Sequence, residues 1–409
     1  MVGPDDKKLR IGIDLRWLQR AYLNSPIGAV AGIGMFTQNL WRGLAESAPP
    51  VDLVALVSRE PLAEPFLRLI RSAPRHEIHA VGLAGLLPHL DRRGKYSQVL
   101  TLIETELGLG MSLDRLGLDV LHLTNHRPPP RSVSCPTVAT LHNFFALARR
   151  GWPVQRYLGA KLSQATRVVA VSNAVGEDYA RNHAPGENQV SVVHNGIDLG
   201  VFAPREAERG DVRAKFGLPG AYFLHAGILS PSKNPAGLFG ALAKVITSTP
   251  KEVHLVNVGP YAAQPGTQET VAGLAREARV ADRLILLKDG ASPEDLAALY
   301  RNSIGLVFPS LSEGFGLPAV ECLACGVPCV VSNAGASPEV VGELGILVDP
   351  RDPDDIAAGM VRLLDDESHR TMVRTKGPEW TERFSYQAMA ARYVAIYREL
   401  ADASAGGRH

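Results

Sequence analysis

Two carboxylates separated by seven residues are the side chains in this sequence best suited to do chemistry. Glu313 and Glu321 bracket a glycine-rich turn within the stretch FPSLSEGFGLPAVECLACGVPCVVS, residues 308–332. Glycines such as Gly316 let the backbone come close to a ligand, and Pro318 favours the first turn of a helix. Because a helix start beside backbone amides binds anions, the stretch predicts a site for a ligand with a phosphate and several hydroxyls. A nucleotide-sugar fits that description.

Two more side chains suit the same chemistry. Lys233 comes just before a predicted helix, where its point charge would neutralise a diphosphate. The alternative is a solvated surface lysine. His142 directly follows the predicted apolar strand Thr137–Leu141, and the alternative there is a histidine that only packs. For either Glu313 or Glu321 alone, the alternative is an ordinary surface charge.

Size and composition limit the class of protein. The chain has 409 residues, enough for two domains, with 45% hydrophobic and 21% charged residues, as in soluble globular proteins. No apolar run is long enough to span a bilayer, and the opening MVGPDDKKLR lacks an apolar signal core, so we expect a cytosolic protein. The net charge of +1 gives no attraction to nucleic acid.

The four cysteines do not predict a metal site or a disulfide framework. Cys322 and Cys325 have the spacing of a metal-ligand pair, but no second pair of matching spacing accompanies them. We therefore interpret them as small residues packed on a buried helix.

Short apolar strands alternate with amphipathic helices along the chain. The pattern opens with a strand at Leu9–Leu15, a glycine-rich loop at Arg16–Ile33 and a helix at Gly34–Glu46. The glycines Gly32 and Gly34 indicate a phosphate site or simply a tight turn. A further helix is predicted at Tyr96–Leu107. This alternation is typical of an α/β fold with parallel sheets covered on both faces.

The alternation restarts after a predicted linker at residues 199–210. We therefore predict one α/β domain over residues 1–200, a second over 211–382 and terminal helical residues over 383–409. Ligands in open α/β sheets bind beyond the carboxyl ends of the strands. If the two halves face each other, the loops that carry Lys233, His142 and the two glutamates converge on one cleft.

Taken together, these motifs resemble glycosyltransferase family 4, retaining enzymes with the GT-B fold. The segment from Glu313 to Glu321 matches the family's Glu-x7-Glu signature, and the match covers nearly the whole chain in the right order. The other matching segments are Ile11–Asp14, Gly32–Gly34, Leu141–His142, Val171–Ser172, Asn195–Asp198, Pro231–Asn234 and Pro338–Gly342.

The resemblance implies two Rossmann-like domains facing across a cleft, with the C-terminal helix crossing back to the first domain. It places the sugar-nucleotide mainly on the second domain and the acceptor mainly on the first. It also implies that no metal or other cofactor is bound. The implied roles are ribose binding by Glu321, sugar and phosphate binding by Glu313 and the backbone of Phe315, Gly316 and Leu317, diphosphate binding by Lys233, close approach at Gly32 and Gly34, and contact of His142 with the transferred sugar.

Two positions depart from the family pattern. The family usually has an arginine directly before the lysine, and this chain has Ser232. Arg16 or Arg127 would have to supply the missing cation. The family also often has an aspartate after the histidine, and this chain has Asn143, which cannot stabilise an imidazolium as a carboxylate does.

The expected activity is transfer of a hexosyl group from a nucleoside-diphosphate sugar to an acceptor hydroxyl, in polysaccharide, glycolipid or glycoside biosynthesis. The opening GIDLR and the Gly-Ile-Gly-x-Phe-Thr segment look similar to those of bacterial mannosyltransferases, which favours GDP-mannose over a UDP-hexose. The expected acceptor is a lipid-linked sugar or a soluble small molecule. A small excess of Lys and Arg in the first half is compatible with peripheral binding at the inner membrane face, or is incidental.

Two other classes remain as alternatives. One is a non-catalytic subunit that binds a nucleotide-sugar, and the other is a GT-B epimerase or phosphorylase. A dehydrogenase is disfavoured, because the first loop lacks a full G-x-G-x-x-G after its strand.

Overall fold

The chain divides into two units, and the second interrupts the first. Unit 1 comprises Met1–Gly196 and Tyr386–His409, and unit 2 comprises Ile197–Ser385. At the ends of unit 2, Ile197 forms a parallel bridge with Ser385 and its N–H donates to the Phe384 carbonyl oxygen at 2.8 Å. The computed structural model describes residues 8–23, 32–48, 50–81, 113–125, 129–130, 133–143, 161–183, 185–186, 189–205, 211–218, 220–259 and 266–406.

Unit 1 is built on a parallel sheet whose described strands follow the order β3-β2-β1-β4-β5-β6-β7. Its central strands are apolar and buried on both faces, as expected for a parallel sheet covered by helices. The strands are β1 Arg10–Asp14, β2 Asp52–Val57, β3 His76–Ala80, β4 Val120–Leu123, β5 Thr137–Leu141, β6 Arg167–Ala170 and β7 Val190–Val192. The described helices before unit 2 are α1 Arg16–Leu23, α2 Ile33–Ala45, α3 Glu64–Arg71 and α4 Asn173–His183.

The predicted loop at Arg16–Ile33 was wrong in its first part, which forms helix α1. The Asp14 carboxylate accepts a hydrogen bond from the Arg16 N–H at 3.1 Å and so satisfies a donor at the helix start. Leu18 is buried in the core of unit 1, and this burial stabilises the short helix. Residues 24–31 of that loop lie outside the described residues, as does the helix predicted at Tyr96–Leu107.

The last helix, α13 at Tyr386–Gly406, lies within the predicted terminal helical residues and belongs to unit 1. The Tyr397 hydroxyl lies 2.6 Å from Nδ1 of the buried His122, whose Nε2 lies 2.7 Å from the Thr140 hydroxyl. Tyr393 completes the chain of hydrogen bonds at 2.9 Å from Thr140. Burial lowers the pKa of His122 to about 3, so the imidazole is neutral and joins α13 to β4 and β5.

Unit 2 contains a second parallel sheet, with the described strands in the order β10-β9-β8-β11-β12-β13. Both sheets are parallel, as predicted. The strands are β8 Tyr222–Ala226, β9 His254–Val258, β10 Leu284–Leu287, β11 Gly305–Phe308, β12 Cys329–Ser332 and β13 Gly345–Val348. The described helices are α5 Asp211–Phe216, α6 Pro235–Ser248, α7 Thr267–Glu277, α8 Pro293–Asn302, α9 Leu317–Ala324, α10 Ser337–Val341, α11 Pro353–Asp365 and α12 Glu367–Thr381.

Helix α9 and strand β12 bury three of the cysteines. Cys322 and Cys329 have no exposed surface, and Cys325 is 4% exposed. The interpretation of Cys322 as a packed small residue on a buried helix is confirmed, and Cys325 is buried directly after that helix. No helix within the described ranges combines the length and the hydropathy needed to cross a bilayer.

Candidate active site

Strands β8 and β11 are neighbours in the sheet of unit 2, although they are far apart in sequence. The strand order reverses between them, and α/β proteins bind ligands beyond the carboxyl ends of strands at such a switch point. The loop after β8 carries Lys233, and the loop after β11 carries Glu313. The two loops are joined directly, because the Leu311 N–H donates to the Ser232 carbonyl oxygen at 2.9 Å.

The side chains of Lys233 and Glu313 form an ion pair. The Lys233 ammonium also lies 4.6 Å from the centre of the Phe308 ring, at the end of β11. Only 23% of the lysine side chain and 16% of the glutamate side chain are exposed. Lys233 is therefore a partly desolvated charge with two defined contacts, and it differs from a solvated surface lysine.

The main chain of Glu313 is held by the turn after β12. The Ala336 N–H donates to the Glu313 carbonyl oxygen at 3.2 Å. Gly335 has a φ of +65°, and a Cβ at this position would lie 2.8 Å from the same oxygen. Glycine is required here both for its backbone conformation and for the close approach.

The turn between Glu313 and α9 forms as the sequence predicts. Gly316 has a φ of +93° and precedes the helix, and Pro318 lies in the first turn. The ring of Phe315 is 3% exposed and packs edge-on against Phe384, with ring centres 5.7 Å apart. The Phe315 ring therefore packs in the interior of unit 2. Leu317 is the first residue of helix α9.

Glu321 lies on α9 with only 6% of its surface exposed. Among the residues that the structure describes, its one hydrogen-bond donor is the Tyr300 hydroxyl on α8, at 3.0 Å. Burial raises the pKa of Glu321 from 4.5 to about 7, and the hydrogen bond from Tyr300 opposes this only in part. A carboxylate accepts several hydrogen bonds, so this one retains capacity for further donors.

The other predicted site residues lie in unit 1. His142 directly follows β5, where its Nε2 lies 2.8 Å from the Thr124 carbonyl oxygen. Its ring packs edge-on against Phe36, with ring centres 4.6 Å apart. Gly32 precedes α2 with a φ of +57°, and Gly34 is buried in the first turn of that helix. The structure thus brings Lys233 and Glu313 together, places Glu321 on the helix that follows in the same unit, and holds His142 and the two glycines in the other unit.

Ser232 and Asn143 are the two positions that depart from the family pattern, and Arg16 and Arg127 are the arginines expected to compensate for Ser232. The Ser232 hydroxyl lies 3.0 Å from the Ser230 hydroxyl and carries no charge that could replace arginine. The Arg16 guanidinium donates to both carboxylate oxygens of Asp14, at 2.9 and 2.8 Å. Arg127 lies outside the described residues, and Oδ1 of Asn143 has no hydrogen-bond partner among the described residues.

Sequence reasoning missed several residues that support the site. Tyr300 and Gly335 contact Glu321 and Glu313 from distant segments, and no local spacing signals them. Asn234 had a signal, since an asparagine before a proline is a favoured helix cap. It adopts a left-handed conformation with a φ of 59° and accepts a hydrogen bond from the Gly237 N–H.

A buried polar pair involves β8, the strand that precedes the Lys233 loop. His225 on β8 is fully buried, and its Nδ1 lies 2.9 Å from the Asn257 side-chain amide on the adjacent strand β9. Burial, together with the charge of Lys233, lowers the pKa of His225 to about 3. The imidazole is therefore neutral at physiological pH.

Comparison with known proteins gives the same family from both halves of the chain. The model "Glycosyltransferase Family 4" matches residues 30–201, and the model "Glycosyl transferases group 1" matches residues 209–380. The chain is 32% identical over 302 residues to the MMP alpha-(1->4)-mannosyltransferase of Mycolicibacterium hassiacum, which covers 72% of this chain and 68% of that protein.

Two further matches cover almost the full length. The D-inositol 3-phosphate glycosyltransferase of a Nocardioides species is 28% identical over 97% of this chain and 93% of its own. The solved structure of Anabaena HepE in complex with UDP-glucose matches with a TM-score of 0.72 and 16% identity, over 96% of this chain and 100% of that one. The predicted pair of Rossmann-like domains is thereby confirmed, and the chain is a glycosyltransferase that belongs to glycosyltransferase family 4.

Proposed function

We propose that the protein is a retaining glycosyltransferase that moves a hexosyl group from a nucleoside-diphosphate sugar to an acceptor hydroxyl. The observation that carries the proposal is the arrangement at the switch point of unit 2, where Lys233 pairs with Glu313 and Glu321 is buried beside α8. GDP-mannose is the favoured donor, because the chain resembles bacterial mannosyltransferases and two relatives are named as such. A UDP-hexose is the second candidate, since HepE was solved with UDP-glucose.

Lys233 would bind the diphosphate of the donor. Its ammonium is paired with the Glu313 carboxylate. A diphosphate carries more negative charge than one carboxylate and would draw the ammonium towards itself. The Glu313 carboxylate would then be released to accept hydrogen bonds from hydroxyls of the transferred sugar.

Glu321 would bind the ribose. Its carboxylate receives a hydrogen bond from Tyr300 and has acceptor capacity left for two vicinal hydroxyls. These hydroxyls would compensate for the desolvation that raises the pKa of this carboxyl to about 7.

The proposed reaction is a front-face displacement. The bond between the anomeric carbon and the phosphate oxygen breaks, and the acceptor oxygen bonds to the anomeric carbon on the same face. The departing phosphate takes the acceptor proton. Lys233 and the backbone amides around Gly316 would stabilise the charge that develops on the diphosphate. Glu313 positions the sugar and forms no covalent bond, and His142 would contact the transferred sugar from unit 1.

Nucleotide binding tests the proposal first. GDP, UDP, TDP and ADP are compared by thermal shift, and the strongest ligand is measured by calorimetry with Lys233→Met and Lys244→Met. Lys233→Met should weaken binding by about tenfold or more, since a charge-assisted contact is lost. Lys244 is an exposed lysine paired with Asp354 and serves as the matched control, for which affinity should not change. Equal affinity in the wild type and Lys233→Met would contradict the assigned role.

Product analysis tests the reaction. The nucleotide-hexose that matches the best ligand is incubated with the protein, and the anomeric configuration of the product is read by proton NMR. Retention supports the proposal, and inversion contradicts it. Binding without hydrolysis or transfer would favour the non-catalytic subunit, and stimulation of sugar release by inorganic phosphate would favour a phosphorylase.

The acceptor and the cellular location are part of the same proposal. We propose a sugar hydroxyl as acceptor, on a lipid-linked sugar reached from the inner membrane face or on a soluble small molecule, and a site of action in the cytosol. Cell fractionation with a salt wash distinguishes these cases, because binding to an anionic surface is weakened by salt.

A further inference from the structure

An exposed aromatic side chain lies at the switch point of the sheet in unit 1. Trp17 is 46% exposed and belongs to α1, which begins two residues after the end of β1. The strand β1 lies between β2 and β4, where the strand order reverses. In open α/β sheets this edge is where ligands bind, so the exposed indole is in a position to contact one.

Helix α1 is fixed in place by buried contacts. Gln19 is 1% exposed, and its side chain accepts a hydrogen bond from the Ser58 N–H and donates to the Glu60 carbonyl oxygen, both at 2.8 Å. The Tyr22 hydroxyl donates to the Gln38 side chain on α2 at 2.7 Å. The helix therefore presents Trp17 from a rigid base, and little ordering is needed when a ligand binds.

Groups that hydrogen-bond to hydroxyls lie on the same helix as Trp17 and pair with the segment after β2. Arg20 lies three residues after Trp17 and so on the same side of α1. Its guanidinium lies 3.4 Å from the Glu60 carboxylate, and the two side chains are 40% and 33% exposed. The Ser58 hydroxyl donates to the same carboxylate at 2.9 Å. An aromatic face beside an accessible Arg–Glu pair suits a ring with an apolar C–H face and several hydroxyls.

The charge balance argues against a lipid surface as the ligand. Arg16 is paired with Asp14 and Arg20 with Glu60, so both arginines of α1 within the described residues are matched by a carboxylate. Attraction to anionic lipid requires unmatched basic residues. The patch is therefore better suited to a neutral polyol.

We infer that Trp17, Arg20 and Glu60 form a subsite for the pyranose ring or cyclic polyol of the acceptor, and this inference rests on the proposed function. The ring's C–H face would stack on the indole, whose face is electron-rich. Its hydroxyls would donate to Glu60 and accept from Arg20. These residues would thereby select cyclic polyols over linear or aromatic acceptors.

Fluorine NMR tests this inference on the full chain labelled with 5-fluorotryptophan. The chain has four tryptophans, and Trp17→Phe assigns the Trp17 resonance. The protein, saturated with its best nucleotide, is titrated with methyl α-mannopyranoside, methyl α-glucopyranoside and myo-inositol. We expect the Trp17 resonance to shift saturably with at least one of them. By calorimetry, Trp17→Ala should bind that ligand about tenfold more weakly than the wild type, and Trp17→Phe should show part of the wild-type affinity.

Leu23→Ala is the matched control, because Leu23 is a 40% exposed apolar residue on the same helix and has no place in the subsite. Its affinity for the sugar should equal that of the wild type. The inference is overturned if the chemical shift of Trp17 changes with none of the three ligands, or if Trp17→Ala binds them as tightly as the wild type. A shift produced by anionic phospholipid vesicles and by none of the sugars also overturns it and indicates a membrane contact. Failure of the proposed function is recognised separately, as absence of nucleotide binding in the same samples.

Discussion

Replacing Glu321 by glutamine should make the ligand-free protein more stable above neutral pH while weakening nucleotide binding. Burial raises the pKa of this carboxyl from 4.5 to about 7. A carboxyl whose pKa is higher in the folded state stabilises the protein fully below pH 4.5, and this contribution is lost as the pH rises through about 7. At about 1.4 kcal/mol for each tenfold change in proton affinity, the upper bound on the loss is roughly 3.5 kcal/mol.

Urea denaturation of the wild type and Glu321→Gln at about pH 5 and about pH 8 measures this effect. Glutamine keeps an oxygen that accepts from Tyr300 and carries no charge, so the two proteins should differ little at the lower pH. At the higher pH the variant should be more stable by about 1–3 kcal/mol. A variant that is less stable at the higher pH, or a difference that does not depend on pH, would refute the desolvation argument.

The same variant tests the ribose assignment. The wild type should bind a 2′,3′-dideoxynucleoside diphosphate about tenfold more weakly than the parent nucleotide, since two hydrogen bonds to a charged group are lost. Glu321→Gln should discriminate much less between the two ligands. Glu343→Gln, at an exposed position of unit 2, provides the control and should behave as the wild type in both experiments. Equal discrimination by the wild type and Glu321→Gln would remove Glu321 from the ribose site.

Three further predictions concern stability. Gly335→Ala should destabilise the protein by about 2–3 kcal/mol in urea denaturation, from a backbone cost and a clash with Glu313. Gly217→Ala, with a φ of +60° and open space, should show only the backbone cost of about 1 kcal/mol, and equal losses would exclude the clash. The lowered pKa of His225, about 3, means that its neutral form stabilises the protein above pH 6.5 and that this stability is lost as the pH falls towards 3. His225→Leu should therefore lose less stability than the wild type between about pH 7 and 4. An equal loss of stability in the two proteins over this pH range would contradict this. Tyr397→Phe should cost about 1–3 kcal/mol by leaving His122 without its partner on α13, and a loss within error would show that the bond contributes nothing.

Local chemistry explains why much of unit 2 could be predicted from the sequence. The positive φ of Gly316 and the proline in the first turn of α9 follow from residues adjacent in the chain. The parallel order of the strands follows from their apolar runs and from the helices between them. That Lys233 and Glu313 lie on adjacent loops follows once β8 and β11 are neighbours.

Other features depend on contacts between distant segments, which one sequence does not show. Tyr300 reaches Glu321 from α8, and Gly335 makes room for the Glu313 main chain from the turn after β12. Helix α1 was missed because it spans only eight residues, and its start is satisfied by Asp14 from the preceding strand. The neutral state of His122 is likewise set by burial among residues of three different elements.

The bridge between Ile197 and Ser385 has a consequence for synthesis on the ribosome. Unit 2 lies between the two parts of unit 1 in the chain, so all of its strands leave the ribosome before α13 does, and its two ends can already pair through this bridge. The nascent chain can therefore complete unit 2 while unit 1 still lacks Tyr393 and Tyr397. Until α13 is synthesised, His122 and Thr140 cannot form their hydrogen bonds with these two tyrosines. Unit 1, although its strands are synthesised first, can therefore gain the contacts of α13 with β4 and β5 only after unit 2 has been synthesised.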